Sequence, residues 1–204
     1  MDDRYLTIAR EATTEIKVKA SRFIGETCLV ESVDEALARL TAIRKREHAA
    51  THHCFAYRVG LGEQFAFKYS DGGEPSGTAG KPIYDIIEGQ KLTQIILIVT
   101  RYFGGTKLGT GGLAHAYGDA ARLVLEKSGV KENFIWQRFR FQLDFPLYDR
   151  WRTQLHRLAA REIESSFTDI VASTVEVRLS RAEELRQAFV ELTGGKGICE
   201  PEDA

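Results

Sequence analysis

No charge of either sign dominates this chain: 28 Lys and Arg stand against 29 Asp and Glu, giving a net charge of -1 over 204 residues. The overall basic footprint that drives non-specific nucleic-acid binding is therefore missing, so DNA is not an expected partner and any RNA contact must be local. Cysteine is scarce. Cys28, Cys54 and Cys199 are far apart and form no C-x-x-C, which indicates neither a disulfide framework nor a zinc site and points to a reducing cytoplasm. No run approaches about 18 apolar residues, and the first fifteen hold no apolar core, so neither a membrane span nor a secretory signal is expected. Internal repeats and low-complexity tracts are missing too.

What is present is 43% hydrophobic residues, enough to bury a core in one or two domains. The organising stretch runs from Gln94 to Gly118. Ile95 to Val99 form an unbroken aliphatic run, the pattern of a strand covered on both faces. Gly104, Gly105, Gly109, Gly111 and Gly112 follow, more glycine than a plain connection needs, which implies positive φ or a close approach. Leu113, Ala116, Tyr117, Ala120, Ala121, Val124 and Leu125 then recur at helical spacing.

Upstream, Ile16 and Val18, then Phe23 to Val30, read as two short strands, a hairpin or the start of a meander. Ser32 stands three residues before Glu35 as a capping box, and Val33, Leu37, Leu40 and Ile43 stripe the helix it opens. Arg44, Lys45 and Arg46 complement that helix's C-terminal dipole. A strand from His52 to Val59 follows. Zinc at its start fails on geometry, since His52 and Cys54 share a face while His53 points the other way, and no further ligand completes a set. Phe65, Phe67 and Tyr69 alternate as another strand.

A second glycine-rich loop, Ser70 to Pro82, reads SDGGEPSGTAGKP and leads into a helix. A Walker loop would need Gly where Pro75 stands and Ser or Thr at Pro82, so an NTPase is rejected. Gly109, Gly111 and Ala114 nominally match a dinucleotide fingerprint, but the second parallel strand and its acid are missing. Neither a metal nor a cofactor is expected.

From Phe139 the pattern restarts in the order βαββαβ: strand to Phe145, helix through Trp151 and Leu155, strands at Ile163 to Ile170 and Val171 to Leu179, a helix through Leu185 and Phe189, and a strand near Ile198. A ferredoxin-like sheet on two helices closes this order most simply. The predicted domains are residues 1–131 and 138–204. Lys and Arg outnumber Asp and Glu by 19 to 17 up to Arg138, but fall short by 9 to 12 beyond it, so the tail is a poor nucleic-acid binder on charge alone.

SDGGEPSGTAGKP, VTRYFGGTKLGTGGLAHAYGDAA and the preceding HHCFAYR closely resemble the signature of the IMPACT family in its bacterial, YigZ-type branch. The resemblance covers most of Ala20 to Lys127, and the tail is similar to that branch's small C-terminal domain. Relatives usually read SDDGEP, so Gly72 replaces an acid whose role cannot be carried over, while Asp71 and Glu74 remain. The resemblance implies an α+β protein of two domains: a βαβ-rich one like domain IV of elongation factor G, and a ferredoxin-like one like its domain V. It also implies a connection with translation.

The first functional reading is a binding protein. Lys81, Arg101, Lys107, Thr110, Gly111, Gly112 and His115 would receive an anion such as an RNA phosphate at two helix N-termini, with the loop motif Asp71, Glu74, Ser76, Gly77 and Thr78 beside them. Tyr102 and Phe103 would add stacking. The second reading is an enzyme with Asp71, Glu74 and His115 as acid and base groups and Ser76 or Thr110 as a hydroxyl, although no nucleophile and base stand at a supporting spacing. The third is an adaptor anchored by Trp136 or Trp151.

Overall fold

The structure, a computed structural model, describes residues 3–202. It is an α+β protein of two compact units, one of residues 6–132 and one joining residues 133–202 to residues 3–5. Strands β1 (Arg4–Ile8) and β7 (Val130–Phe134) pair as a two-stranded ribbon. Neither strand was anticipated from the sequence.

The first unit is built on β2 (Ala12–Val18), β3 (Ser21–Leu29), β4 (His52–Val59), β5 (Ala66–Ser70) and β6 (Ile95–Tyr102). Their order is β2-β3-β6-β4-β5, with every neighbour antiparallel. The expected central strand is therefore β6, and its alternation divides the core. Ile95, Leu97 and Val99 face helices α2 (Gly80–Gly89) and α3 (Gly109–Ser128), while Ile96 and Ile98 face α1 (Val33–Arg46) with Phe55 and Tyr57. At Gly25 a Cβ would stand 2.9 Å from the Ala120 carbonyl, so glycine lets α3 lie directly on β3.

The Ser32 cap forms as read, its Oγ accepting from the Glu35 N–H at 3.1 Å. The stripe beneath it differs by one position: Ala36, Leu40 and Ile43 are buried, while Leu37 is 40% exposed. Ala36, Leu40 and Ile43 recur at i, i+4 and i+7, a narrower band than the sequence suggested.

In the second unit β8 (Trp136–Asp144), α4 (Tyr148–Arg157), β9 (Arg161–Phe167), β10 (Ile170–Arg178), α5 (Ala182–Thr193) and β11 (Ile198–Glu202) follow the predicted order. The antiparallel sheet runs β11-β8-β10-β9, the ferredoxin-like arrangement. Trp151 is fully buried, its ring 4.7 Å from Phe141 and 5.0 Å from Phe189. This removes it as an adaptor anchor, since the indole is spent on this unit's own core. Trp136 lies under Arg161, 4.1 Å away. Asp3 belongs to this unit, accepting from the Ser180 hydroxyl at 2.5 Å and the Ser180 N–H at 3.2 Å.

Candidate functional site

The two glycine-rich loops meet where β3 and β4 begin and β6 ends. Arg101 occupies an odd position of β6, on the same face as Ile95, Leu97 and Val99, and strand parity carries its guanidinium inward. Glu74 reaches in from the Ser70 to Pro82 loop. Its Oε1 accepts from Arg101 Nη1 at 2.6 Å and from the Tyr117 hydroxyl of α3 at 2.8 Å, with both charged side chains at most 5% exposed. Arg101 Nη2 donates to Ser21 Oγ at 3.2 Å, and the Phe23 and Phe103 rings flank the guanidinium at 5.4 and 5.3 Å.

Neighbouring strand starts close the cluster. His52 sets Nδ1 3.0 Å from the Gly72 carbonyl and Nε2 3.9 Å from Glu74, and Cys54 Sγ donates to the Asp71 carbonyl at 2.9 Å. Burial first, with Glu74 and Asp71 nearby, pushes the Cys54 thiol up to about 12, while burial and the adjoining Cys54 and Glu74 push the Tyr117 hydroxyl up as well. His53 points to the opposite face, with Nδ1 3.2 Å from Thr100 Oγ1, as alternation requires.

Asp71 caps α2. Its Oδ1 accepts from the N–H groups of Ala79 and Gly80, each at 2.9 Å, and its Oδ2 from Gly77 at 3.0 Å. Burial pulls this carboxyl up, yet the backbone bonds from Gly77, Gly80 and Ala79 together outweigh it and hold it below its ordinary value. Pro82 brings no N–H of its own. The anion socket expected at this helix end is therefore filled by the chain's own carboxylate. Thr78 is buried and bonds back to the Pro75 carbonyl at 2.7 Å, Ser76 is exposed, and Lys81 pairs with Asp85.

The other loop is open. No side chain caps the start of α3, and Thr110, Gly111 and His115 are exposed there with Gly112 half-buried. Lys107 is exposed and makes no ion pair among the described residues. Gly105 and Gly109 take φ of 86° and 75°, and at Gly104 a Cβ would fall 1.8 Å from the Ala20 carbonyl, so this turn needs glycine both for its sign of φ and for its closeness to β3.

Of the predicted anion site, Lys107, Thr110, Gly111, Gly112 and His115 thus come together around one helix end. Arg101 leaves it, because its charge is buried against Glu74, and Lys81 stands at the capped helix instead. Tyr102 donates to Glu47 at 2.8 Å beneath Arg22, and Phe103 remains 46% exposed. Sequence reasoning did not find the Glu74–Arg101–Tyr117 cluster. The available signal was the parity of Arg101, which continues the Ile95, Leu97 and Val99 face just beyond the apolar run.

A sequence profile described as the Impact N-terminal domain matches residues 19–125, and one described as a domain of unknown function (DUF1949) matches residues 141–196. IMPACT family member YvyE of Bacillus subtilis (strain 168) is 32% identical over 94% of this chain and 88% of its own length. IMPACT family member YigZ of Escherichia coli (strain K12) is 29% identical over 95% of both chains. A solved structure titled as the crystal structure of an hypothetical protein superposes with a TM-score of 0.72 at 27% identity, covering 100% of this chain and 99% of that one. Among the described residues no helix is long and apolar enough to cross a membrane.

Proposed function

Because the chain belongs to the IMPACT family, we propose that it is a cytoplasmic, translation-linked regulatory protein that engages RNA or the ribosome through the turn ahead of α3. The observation that carries this reading is the uncapped, exposed start of a 20-residue helix with the unpaired Lys107 beside it. Such a helix end presents roughly half a positive charge and several N–H donors to a phosphate. Thr110 and His115 extend the polar surface, and Phe103 offers an exposed ring for stacking. The Glu74–Arg101 pair is the frame that fixes this turn. Its two charges are spent on each other, as is the Asp71 carboxylate on its helix, so two of the three groups an enzyme reading would use as acid and base are already engaged, and only His115 stays exposed.

The test is titration of the full chain with structured RNA across a salt series. Each phosphate neutralised releases counterions, so affinity should fall steeply with salt, and Lys107→Ala should reduce the slope by about one unit. Lys68→Ala, on exposed β5, should leave it unchanged. No binding at low salt, or equal loss in both variants, would remove RNA and leave a protein partner as the reading.

A further inference from the structure

A second site lies in the first unit, away from the glycine-rich loops. Helix α1 covers β4 and β6 but leaves the β2–β3 end of the sheet open, and a cavity of about 510 Å³ remains between them, within the roughly 300–1,000 Å³ of small-molecule pockets. Its lining carries four cations, Arg10, Arg39, Arg46 and Lys127, against two carboxylates, Glu11 and Glu26.

Both carboxylates are already used. Glu26, buried at the cavity floor, accepts Arg46 Nη2 on both oxygens at 2.5 and 2.6 Å. Glu11 holds Arg39 Nη2 at 3.2 Å and the Leu29 N–H at 3.3 Å. Among the described residues Arg10 and Lys127 pair with no carboxylate. Instead backbone carbonyls pin them to each other's segments: Arg10 Nε donates to the Lys127 carbonyl at 3.2 Å, and Lys127 Nζ to the Thr13 carbonyl at 2.9 Å. That tethers both exposed side chains while leaving, among the described residues, the Arg10 Nη fork and the remaining ammonium hydrogens unused and two positive charges uncompensated. The apolar part of the lining is Ala12, Cys28, Ala42 and Ile43, the last two between the paired Arg39 and Arg46 on α1.

We propose that this cavity binds a small phosphomonoester, its dianionic phosphate held by Arg10 and Lys127 and its organic part resting on Ala42, Ile43 and Cys28. A guanidinium fork and an ammonium match a phosphate's charge and its several acceptors, whereas a monocarboxylate would neutralise one cation and strand the other. The site is independent of the RNA reading, since Lys107 takes no part in it.

Calorimetric titration of the full chain tests it with four probes: adenosine 5′-monophosphate, glucose 6-phosphate, inorganic phosphate and uncharged adenosine. At least one phosphomonoester should bind with a Kd below about 1 mM, adenosine should not, and Arg10→Gln or Lys127→Gln should weaken binding at least tenfold. Ala42→Trp, which fills the cavity from an exposed helix position, should abolish binding of the organic phosphate and spare inorganic phosphate. Three results would overturn the proposal: no phosphomonoester binding, unchanged affinity in folded Arg10→Gln and Lys127→Gln proteins, or equal binding of all phosphates regardless of Ala42→Trp, which would mean an adventitious ion only.

Discussion

Arg101 Nη1 lies 2.6 Å from Glu74 Oε1 with both side chains at most 5% exposed, so a charge pair is buried at the point where two glycine-rich loops meet. Removing one partner of such a pair strands the other and costs about 3–5 kcal/mol. Glu74→Gln and Arg101→Leu should each lower the denaturation midpoint strongly. The double variant should lose less than the sum of the two, by about 1–3 kcal/mol of coupling. Additive losses would show that the pair does not act as a unit.

Gly72 takes a φ of 57°, and a Cβ built on it would stand 2.3 Å from the His53 carbonyl. Placing an acid there as Gly72→Asp should therefore push the loop off β4 and cost about 2 kcal/mol or more, because the obstacle is backbone rather than a movable side chain. Thermal unfolding measures it. A variant as stable as the parent would show that the loop re-forms without this close approach.

Asp71 ties stability to acid. A carboxyl held below its ordinary value of 3.8 in the folded chain contributes stability above that value, and loses it as pH falls through the lower folded value. Urea midpoints of the parent should fall below about pH 4 more steeply than those of Asp71→Asn. At pH 7 Asp71→Ala should cost about 1–2 kcal/mol as a lost helix cap.

Thiol reactivity should divide the cysteines. Burial raises Cys28 to about 11 and Cys54 to about 12, leaving both protonated and covered at pH 8. Cys199 is half-buried, so a disulfide reagent should titrate at most one thiol per native chain and three after unfolding. Rapid reaction of two or more in the native state would contradict this burial.

A fragment of residues 1–134, which keeps both strands of the β1–β7 ribbon, should fold alone, because the cores around β6 and around Trp151 share no residues. Circular dichroism with a cooperative melt would show it. A fragment without a melt would show that the first unit depends on the rest of the chain.

Much of this architecture was legible because its periods are clean: HHCFAYRV is β4 residue for residue, and the βαββαβ order of the tail stands as read. What sequence hid was pairing at a distance. Asp3 is bonded to Ser180, and nothing near Asp3 announces it. The two loops looked alike in glycine and lysine, yet one is closed by Asp71 and the other is open at Lys107. That difference depends on where a carboxylate folds back to, which local pattern does not encode.

The place of β6 has a consequence for synthesis. It is the middle strand of its sheet, paired to β3 on one side and β4 on the other, yet it is translated after both. With elongation at roughly 5–20 residues per second, the roughly seventy residues between Leu29 and Tyr102 keep β3 waiting for about 4–15 s with an unpaired apolar edge. The first unit cannot close strand by strand as it emerges. Its two halves must stay apart until Ile95 to Tyr102 arrives to join them, which makes this span of the nascent chain the one most in need of shielding.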